Sequence, residues 1–287
     1  MSTGFTSSLT FAGKETIIYL GSITLIAGIV GGFLDIVVFL SLKTFRRSPC
    51  GFYLTVMSIT NIGQMITGLL SRILSTGFNI DWTLTSLFYC KFRLYCYQVC
   101  SLISMTCICL ASIDQYFATC SRLRWQQWSN INLTRRLSAI FTVIWIVHNA
   151  PFLIYYDHIV SSTTGKVTCI ITNNVFDQYT TYSITVTLGK VLPIGITLLF
   201  GFLAYRNVQQ ITYRTLPMVR RELDKQLTVM VLVQIVFGFF TITPYTIIYI
   251  LLKVPQLSQD PTNAACLQYA AALTTCMLYI YFAVSVF

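Results

Sequence analysis

Two ionisable side chains, Asp35 and Lys190, stand inside long segments of the sequence that otherwise carry no charge. A carboxylate or an ammonium inside a lipid bilayer is costly, and such groups usually serve an ion path, a ligand or a polar network. For Asp35, two interpretations remain open, an ion or water network and a protonated or snorkelling side chain. For Lys190, the alternatives are a ligand carboxylate or carbonyl and an internal bond to Tyr, Gln or Asn side chains.

The remaining reactive side chains form no catalytic or metal-binding pattern. His148 and His158 are the only histidines, and the sequence has neither paired carboxylates nor the ligand spacing of a metal site. A single histidine in an apolar segment is more often structural than catalytic. We therefore expect a protein that is not an enzyme and that needs no cofactor.

The composition indicates a membrane protein. Hydrophobic residues make up 55% of the chain and charged residues only 10%, with a mean hydropathy of +0.69. A soluble domain carries about 25% charged residues. The net charge of +10 could suggest nucleic acid as a partner. However, the basic residues sit in short loops between apolar segments, so the expected partner is the lipid bilayer and not a nucleic acid.

Seven apolar segments reach the roughly 20 residues that a helix needs to cross the hydrocarbon core. Each must be helical, because unpaired backbone groups cannot face lipid, and the alternation typical of a membrane barrel is absent. The sequence predicts an all-α integral membrane protein, a seven-transmembrane helix bundle that forms one domain over residues 1–287. The predicted spans are 17–42, 52–70, 94–113, 137–156, 179–205, 226–252 and 261–287.

The distribution of positive charge predicts the orientation. Of the 19 Lys and Arg residues, twelve fall on one side of the spans and six on the other, and Lys190 is the last. The side richer in Lys and Arg normally faces the cytoplasm. We expect the N-terminus outside the cell and the C-terminus inside, in the plasma membrane. The first fifteen residues lack the pattern of a signal peptide, so the first span should itself direct membrane insertion.

Two of the ten cysteines, Cys90 and Cys169, fall on the predicted outer side, at the start of the third span and in the loop after the fourth. The outside of the cell is oxidising, so a disulfide is permitted there. The bridge would hold the second outer loop over the mouth of the bundle. Cys266, near the outer end of the seventh span, has no evident partner.

Several short motifs resemble those of the rhodopsin family of G-protein-coupled receptors. The end of the third span, residues 112–116, resembles the family's Asp-Arg-Tyr motif and lies 25 residues after Cys90. Residues 31–39 resemble a run in the first helix of FMRFamide-type neuropeptide receptors. Further similar positions are the tryptophans Trp82 and Trp145 and the prolines Pro193 and Pro244.

The resemblance implies a receptor that passes an extracellular, neuropeptide-like signal to a cytoplasmic heterotrimeric G protein. In such receptors a ligand favours a state in which helix 6 swings outward. Two alternatives remain, a chemosensory or atypical relative with weak G-protein coupling and, further off, a small transporter or channel subunit.

The chain departs from the family at several switch positions. Gln115 replaces the arginine of Asp-Arg-Tyr, Ile242 replaces the tryptophan before the helix 6 proline, and Asn61 replaces the helix 2 acid. We expect Gln115 to weaken the inactive-state latch, and so to raise basal signalling or lower coupling. The resemblance places the activation switch at Asp114, Gln115, Tyr116, Asp224 and Tyr281. Because the helix 2 acid is absent at Asn61, one interpretation of Asp35 is that the charge has moved to helix 1, so that Asp35 and Asn61 would form an intramembrane polar network.

Tyr and Gln side chains in the outer halves of the third, sixth and seventh spans suggest a ligand cavity. Such side chains offer donors and acceptors beside apolar surface and suit amide-rich ligands, although an interfacial aromatic belt has the same composition. Tyr97 stands where amine receptors have Asp, and Ala271 where opsins have Lys, so neither class is expected. The predicted cavity residues are Tyr97, Gln98, Lys190, Tyr245, Tyr249, Gln268 and Tyr269.

Overall fold

The computed structural model describes most of the chain, and the side chains of residues 2, 3, 44, 123, 210, 211 and 218–224 lie outside that description. The described residues are 2–46, 48–120, 122–160, 167–211, 218–254, 257 and 260–284.

Seven helical segments cross the part of the molecule that the structure describes. Six are long and apolar enough to span a membrane, and helix 2 is divided into α and π parts. The bounds are helix 1, Ser2–Ser41; helix 2, Pro49–Gln64 with π segments Met65–Leu70 and Ile73–Gly77; helix 3, Leu87–Thr119; helix 4, Ile131–His148; helix 5, Asn174–Gln178, the π segment Tyr179–Val191 and Leu192–Ile211; helix 6, Met218–Leu252; helix 7, Pro261–Val284.

The helices extend beyond most of the predicted spans, and side-chain caps stabilise the polar first turns of several of them. Helix 2 begins after Ser48, whose side chain accepts a hydrogen bond from the backbone of Gly51. Helix 3 begins after Ser86, which accepts from Tyr89 in the same way. A side chain at the N-cap satisfies a backbone N–H that the first helical turn leaves free. The apolar runs therefore located the helices but understated their lengths.

Three predicted boundaries differ from the structure in other ways. Helix 2 continues past residue 70 to Gly77, so that Arg72 belongs to the helix and not to a loop. Helix 4 ends at His148 instead of residue 156, and a short helix, Pro151–Tyr155, follows it. Pro151 explains the break, since it has no N–H to continue the helical hydrogen bonds. Residues 285–287 of the predicted seventh span lie outside the described residues.

The loop after helix 4 contains an antiparallel hairpin that the all-α prediction did not include. Strands β1, Tyr156–Val160, and β2, Val167–Ile171, pair with Tyr156 opposite Ile171. The other short elements are the helices Lys43–Arg46, Trp82–Thr85 and Leu123–Gln126. The end of the bundle that carries this hairpin is termed the outer end, and the opposite end is termed the inner end.

Helix 3 forms the centre of the bundle. It packs against helices 2 and 5, whereas helix 1 packs against helices 2 and 7. Apolar side chains of helices 2, 3 and 6, among them Leu54, Ile108 and Leu227, form one buried core. On helix 4, by contrast, the side chains of Val143 and Val147 are exposed. Exposed apolar side chains on a membrane-spanning helix face lipid.

Helices 1, 2 and 7 approach one another closely at Gly28. A Cβ atom added there would lie 2.9 Å from Cε of Met65 and 3.0 Å from Cβ of Ala283. The Ala283 backbone is also only 3.3 Å away, so a side chain at this position cannot be accommodated by moving one flexible group. The absence of a side chain at Gly28 sets the spacing of these three helices.

We expect Gly28→Leu to destabilise the purified protein by about 1–3 kcal/mol, the usual cost of overpacking a core. The thermal unfolding temperature measures this effect. Gly195→Leu in helix 5 is the matched control, since nothing lies within 4 Å of a Cβ atom there. Equal unfolding temperatures for the two variants would contradict the close approach of helices 1, 2 and 7.

Candidate functional site

The outer end is covered by the hairpin, which two connections hold in place. A disulfide joins Cys90 at the start of helix 3 to Cys169 in β2, as the sequence predicted. His158 of β1 contacts the carbonyl oxygen of Thr83 through its Nε2 atom at 2.6 Å. These connections fix the first hairpin residue, Tyr156, over the space between the helices.

Beneath the hairpin lies a cavity of about 160 Å³, termed the Lys190 cavity. It collects five of the seven predicted ligand residues, and Tyr156 of the hairpin forms part of its wall. Its polar side chains come from helices 3, 5 and 6 and from the hairpin. They are Tyr97, Gln98, Ser101, Tyr156, Thr180, Thr185, Lys190, Tyr245 and Tyr249.

The ammonium of Lys190 is buried in this cavity, with only 4% of the side chain exposed. It lies 5.7 Å from the ring centre of Tyr245 and 5.6 Å from that of Phe282. Within the described part of the chain it has no ion pair and no hydrogen bond. Aromatic faces attract a cation, but more weakly than a carboxylate or a carbonyl oxygen does. Of the two alternatives drawn from the sequence, a bond from Lys190 to a Tyr, Gln or Asn side chain is not seen among the described residues.

A buried tyrosine pair next to the cavity was not anticipated from the sequence. Tyr97 in helix 3 and Tyr279 in helix 7 both lie against Gly68 of helix 2 and interact electrostatically with each other. Arg72 of helix 2 lies near enough to both to interact electrostatically. Tyr279 stands two residues before Tyr281, the tyrosine that the family resemblance had singled out. The rotation of helix 7 about its axis decides which of the two tyrosines reaches Tyr97.

Gln268 and Tyr269 do not join the other predicted ligand residues. They line a separate and larger cavity of about 790 Å³, termed the Lys14 cavity, between helices 1, 2, 6 and 7. Both residues lie on the side of helix 7 that faces helix 1. A Cβ atom added at Gly13 of helix 1 would lie 3.7 Å from Cδ2 of Tyr269, so the glycine allows the tyrosine ring to approach helix 1 closely. The prediction of a single cavity was wrong in this respect.

At the inner end, Gln115 connects helix 3 to helix 6. Its Oε1 atom accepts a hydrogen bond of 2.9 Å from the hydroxyl of Thr228, and each side chain is only 2% exposed. The side chain of Asp224, which the resemblance placed in the same switch, lies outside the described residues. Thr228 was not identified from the sequence. It lies one turn after Asp224 on helix 6, and an uncharged threonine carries no signal that would distinguish it in the sequence.

The other switch residues occupy separate contacts. Asp114 is buried on helix 3 and interacts electrostatically with Tyr53 of helix 2. Tyr116 packs against Phe200 of helix 5, with ring centres 5.6 Å apart. Tyr281 of helix 7 lies against Gly238 of helix 6, where an added Cβ atom would come within 2.9 Å of its ring. Each residue thus links helix 3 or helix 7 to a neighbouring helix.

The two residues of the predicted polar network have different surroundings. Asn61 accepts a 2.5 Å hydrogen bond from Ser104 of helix 3 and donates one of 3.3 Å to the carbonyl oxygen of Phe282. Asp35 is buried on helix 1, and its Oδ2 atom has no hydrogen-bond partner among the described residues. Asn61 therefore links helices 2, 3 and 7 through these two hydrogen bonds.

Comparison with known proteins agrees with the seven-helix arrangement. Residues 32–284 match the family described as seven-transmembrane receptors of the rhodopsin family. No individual curated protein matches the chain.

The match covers most of the sequence, and the chain belongs to the rhodopsin family of seven-transmembrane receptors. It is accordingly a multi-pass membrane protein and a receptor, and not an enzyme. Membership of the family implies an external ligand, a G protein and the lipid bilayer as its partners.

The unpaired ammonium of Lys190 gives a prediction that separates stability from ligand binding. Burying a charge without a partner costs free energy, so Lys190→Met should raise the unfolding temperature of the ligand-free receptor, by a gain of about 1 kcal/mol or more. The same change should abolish binding of any ligand that occupies the Lys190 cavity. Thermal unfolding and ligand binding of the purified receptor measure the two effects.

Lys253→Met is the matched control. Lys253 pairs with Asp177 at 3.1 Å, and both side chains are partly exposed. A surface ion pair contributes about 0–1 kcal/mol, so this variant should be no more stable than the unchanged protein. A lower unfolding temperature for Lys190→Met would mean that the ammonium has a stabilising partner.

Proposed function

We propose that this receptor lies in the plasma membrane with its N-terminus outside the cell and binds a peptide-like ligand whose terminal group enters the Lys190 cavity. The observation that carries the proposal is the buried, unpaired ammonium of Lys190. A ligand that brings an oxygen acceptor would complete the coordination that the protein leaves unfilled. The surrounding Tyr and Gln side chains would both donate to and accept from the rest of an amide group.

The volume of the cavity limits what can enter it. At about 160 Å³ it is smaller than the roughly 300–1,000 Å³ of a site that encloses a drug-sized molecule. One terminal residue or side chain fits this space, and the remainder of the ligand would lie above it, against the hairpin. A peptide with an amidated C-terminus meets these conditions, because its last carbonyl accepts from Lys190 while its NH₂ group donates to a tyrosine or to Gln98.

Signal transfer would depend on the contacts at the inner end. The Gln115–Thr228 hydrogen bond joins the feet of helices 3 and 6, and helix 6 must separate from helix 3 to open a G-protein site. A neutral hydrogen bond of this kind contributes about 1 kcal/mol, against about 1.5–3 kcal/mol for one that involves a charged group. We infer that the inactive state is held less firmly than a charged pair would hold it, which favours raised basal signalling.

The first experiment measures G-protein activation in cells against a library of amidated peptides and the same peptides as free acids, with surface expression checked. We expect a dose-dependent response to a peptide of one terminal type and its loss in Lys190→Met. Silence toward every peptide at normal surface levels would exclude the peptide ligand and favour the chemosensory alternative.

Thr228→Val tests the proposed latch. Losing a bond of about 1 kcal/mol should shift the equilibrium roughly fivefold toward the open state and raise basal signalling accordingly. Thr241→Val is the matched control on the same helix, since Thr241 bonds, among the described residues, only to backbone carbonyls of helix 6. Basal activity normalised to surface expression is the measured quantity.

Gln115→Arg is the complementary change. Restoring a charge at this position should lower basal signalling and increase the response to agonist relative to the unchanged receptor. If both basal activity and agonist response stay the same, Gln115 does not belong to the switch.

A further inference from the structure

We propose that the Lys14 cavity is a second binding site, separate from the peptide site, which takes a single-chain amphiphile with an anionic head, a long-chain carboxylate or a lysophospholipid phosphate. The cavity lies between the outer parts of helices 1, 2, 6 and 7 and has a volume of about 790 Å³. This volume falls within the range of about 300–1,000 Å³ that is typical of small-molecule sites.

The charge of the lining favours an anion. Lys14 from helix 1 and Arg72 from helix 2 both contribute to the wall, and none of the described residues that line the cavity is acidic. Neither side chain forms an ion pair or a hydrogen bond with another described residue. Two cations that converge on one partly enclosed space repel each other, and a bound carboxylate or phosphate would relieve that repulsion.

The depth of the two cations matches the position of a lipid headgroup. Lys14 stands 27 residues before the inner end of helix 1 at Ser41, which corresponds to about 40 Å along the helix. Arg72 stands 23 residues after the start of helix 2 at Pro49, or at most about 35 Å. The hydrocarbon core is about 30 Å thick, so Lys14 lies beyond it, at the level of the outer headgroups, and Arg72 lies near its outer boundary.

The apolar part of the wall provides space for a chain. Ile17 and Ala272, each about one turn nearer the membrane centre than Lys14 or Gln268, are 4% exposed and form the closed part of the cavity. Phe11 and Leu252 line it as well and are 64% and 37% exposed. Exposed apolar side chains at an opening provide a path between the cavity and surrounding lipid, whereas a soluble polar ligand would gain nothing from them.

The experiment measures saturable binding of radiolabelled oleate and of lysophosphatidic acid to the purified receptor in nanodiscs of zwitterionic phosphatidylcholine. Oleyl alcohol serves as the neutral ligand of similar chain length. We expect both anions to bind more tightly than the alcohol. Tighter binding of oleate would identify a carboxylate as the preferred head, and tighter binding of lysophosphatidic acid would identify a phosphate.

Lys14→Gln should weaken binding of either anion by about tenfold or more and leave binding of the alcohol unchanged. Lys14→Arg should retain the affinity, since it keeps the charge. Ala271→Phe should weaken all three ligands by filling the space beside Ala272. Lys91→Gln, which removes a cation that lines neither cavity, is the matched control.

Peptide-dependent G-protein activation in the Lys14→Gln receptor provides an independent check that the variant is folded, because Lys14 is absent from the Lys190 cavity. The proposal would be overturned if the alcohol bound as tightly as the anions. Unchanged anion affinity in both Lys14→Gln and Ala271→Phe would also overturn it.

Discussion

The hydrocarbon around the bundle offers no water to a polar group, and this constraint explains where the described polar side chains lie. Several buried Ser and Thr residues donate their hydroxyl groups to carbonyl oxygens within their own helix. Thr197, Ser112 and Thr274, for example, donate to the carbonyl oxygen four residues earlier. Such bonds are local, and they allow polar residues to be buried without requiring a particular neighbour.

A smaller set of polar side chains reaches other helices, and these contacts determine the arrangement of the bundle. Asn61 joins helices 2, 3 and 7, and Trp145 of helix 4 donates to Thr106 of helix 3 at 2.9 Å. Gln115 joins helix 3 to helix 6. Because each bond requires two helices in one relative rotation, a conformational change must break or replace it.

The Lys190 cavity and the Lys14 cavity differ in how they accommodate a cation beside hydrocarbon that offers no water. In the Lys190 cavity a buried cation rests against two aromatic rings, beneath a hairpin that a disulfide holds in place. In the Lys14 cavity two partly exposed cations lie above an apolar floor. The first arrangement suits a group that enters from water and replaces its hydration with Lys190 and the tyrosines. The second suits a molecule that already lies at the boundary between water and lipid.

The sequence by itself determined the number of helices, the disulfide between Cys90 and Cys169 and the resemblance to the rhodopsin family. These properties depend on segment length, hydropathy and the order of short motifs, which are all local. The tertiary structure alone decided that Gln268 and Tyr269 face helix 1, that Tyr97 meets Tyr279, and that Thr228 pairs with Gln115. Such pairings depend on the rotation of each helix, where one residue changes the direction of a side chain by about 100°. The π segments in helices 2 and 5 alter this rotation further, and nothing in the local composition of Met65–Leu70 or Tyr179–Val191 indicates them.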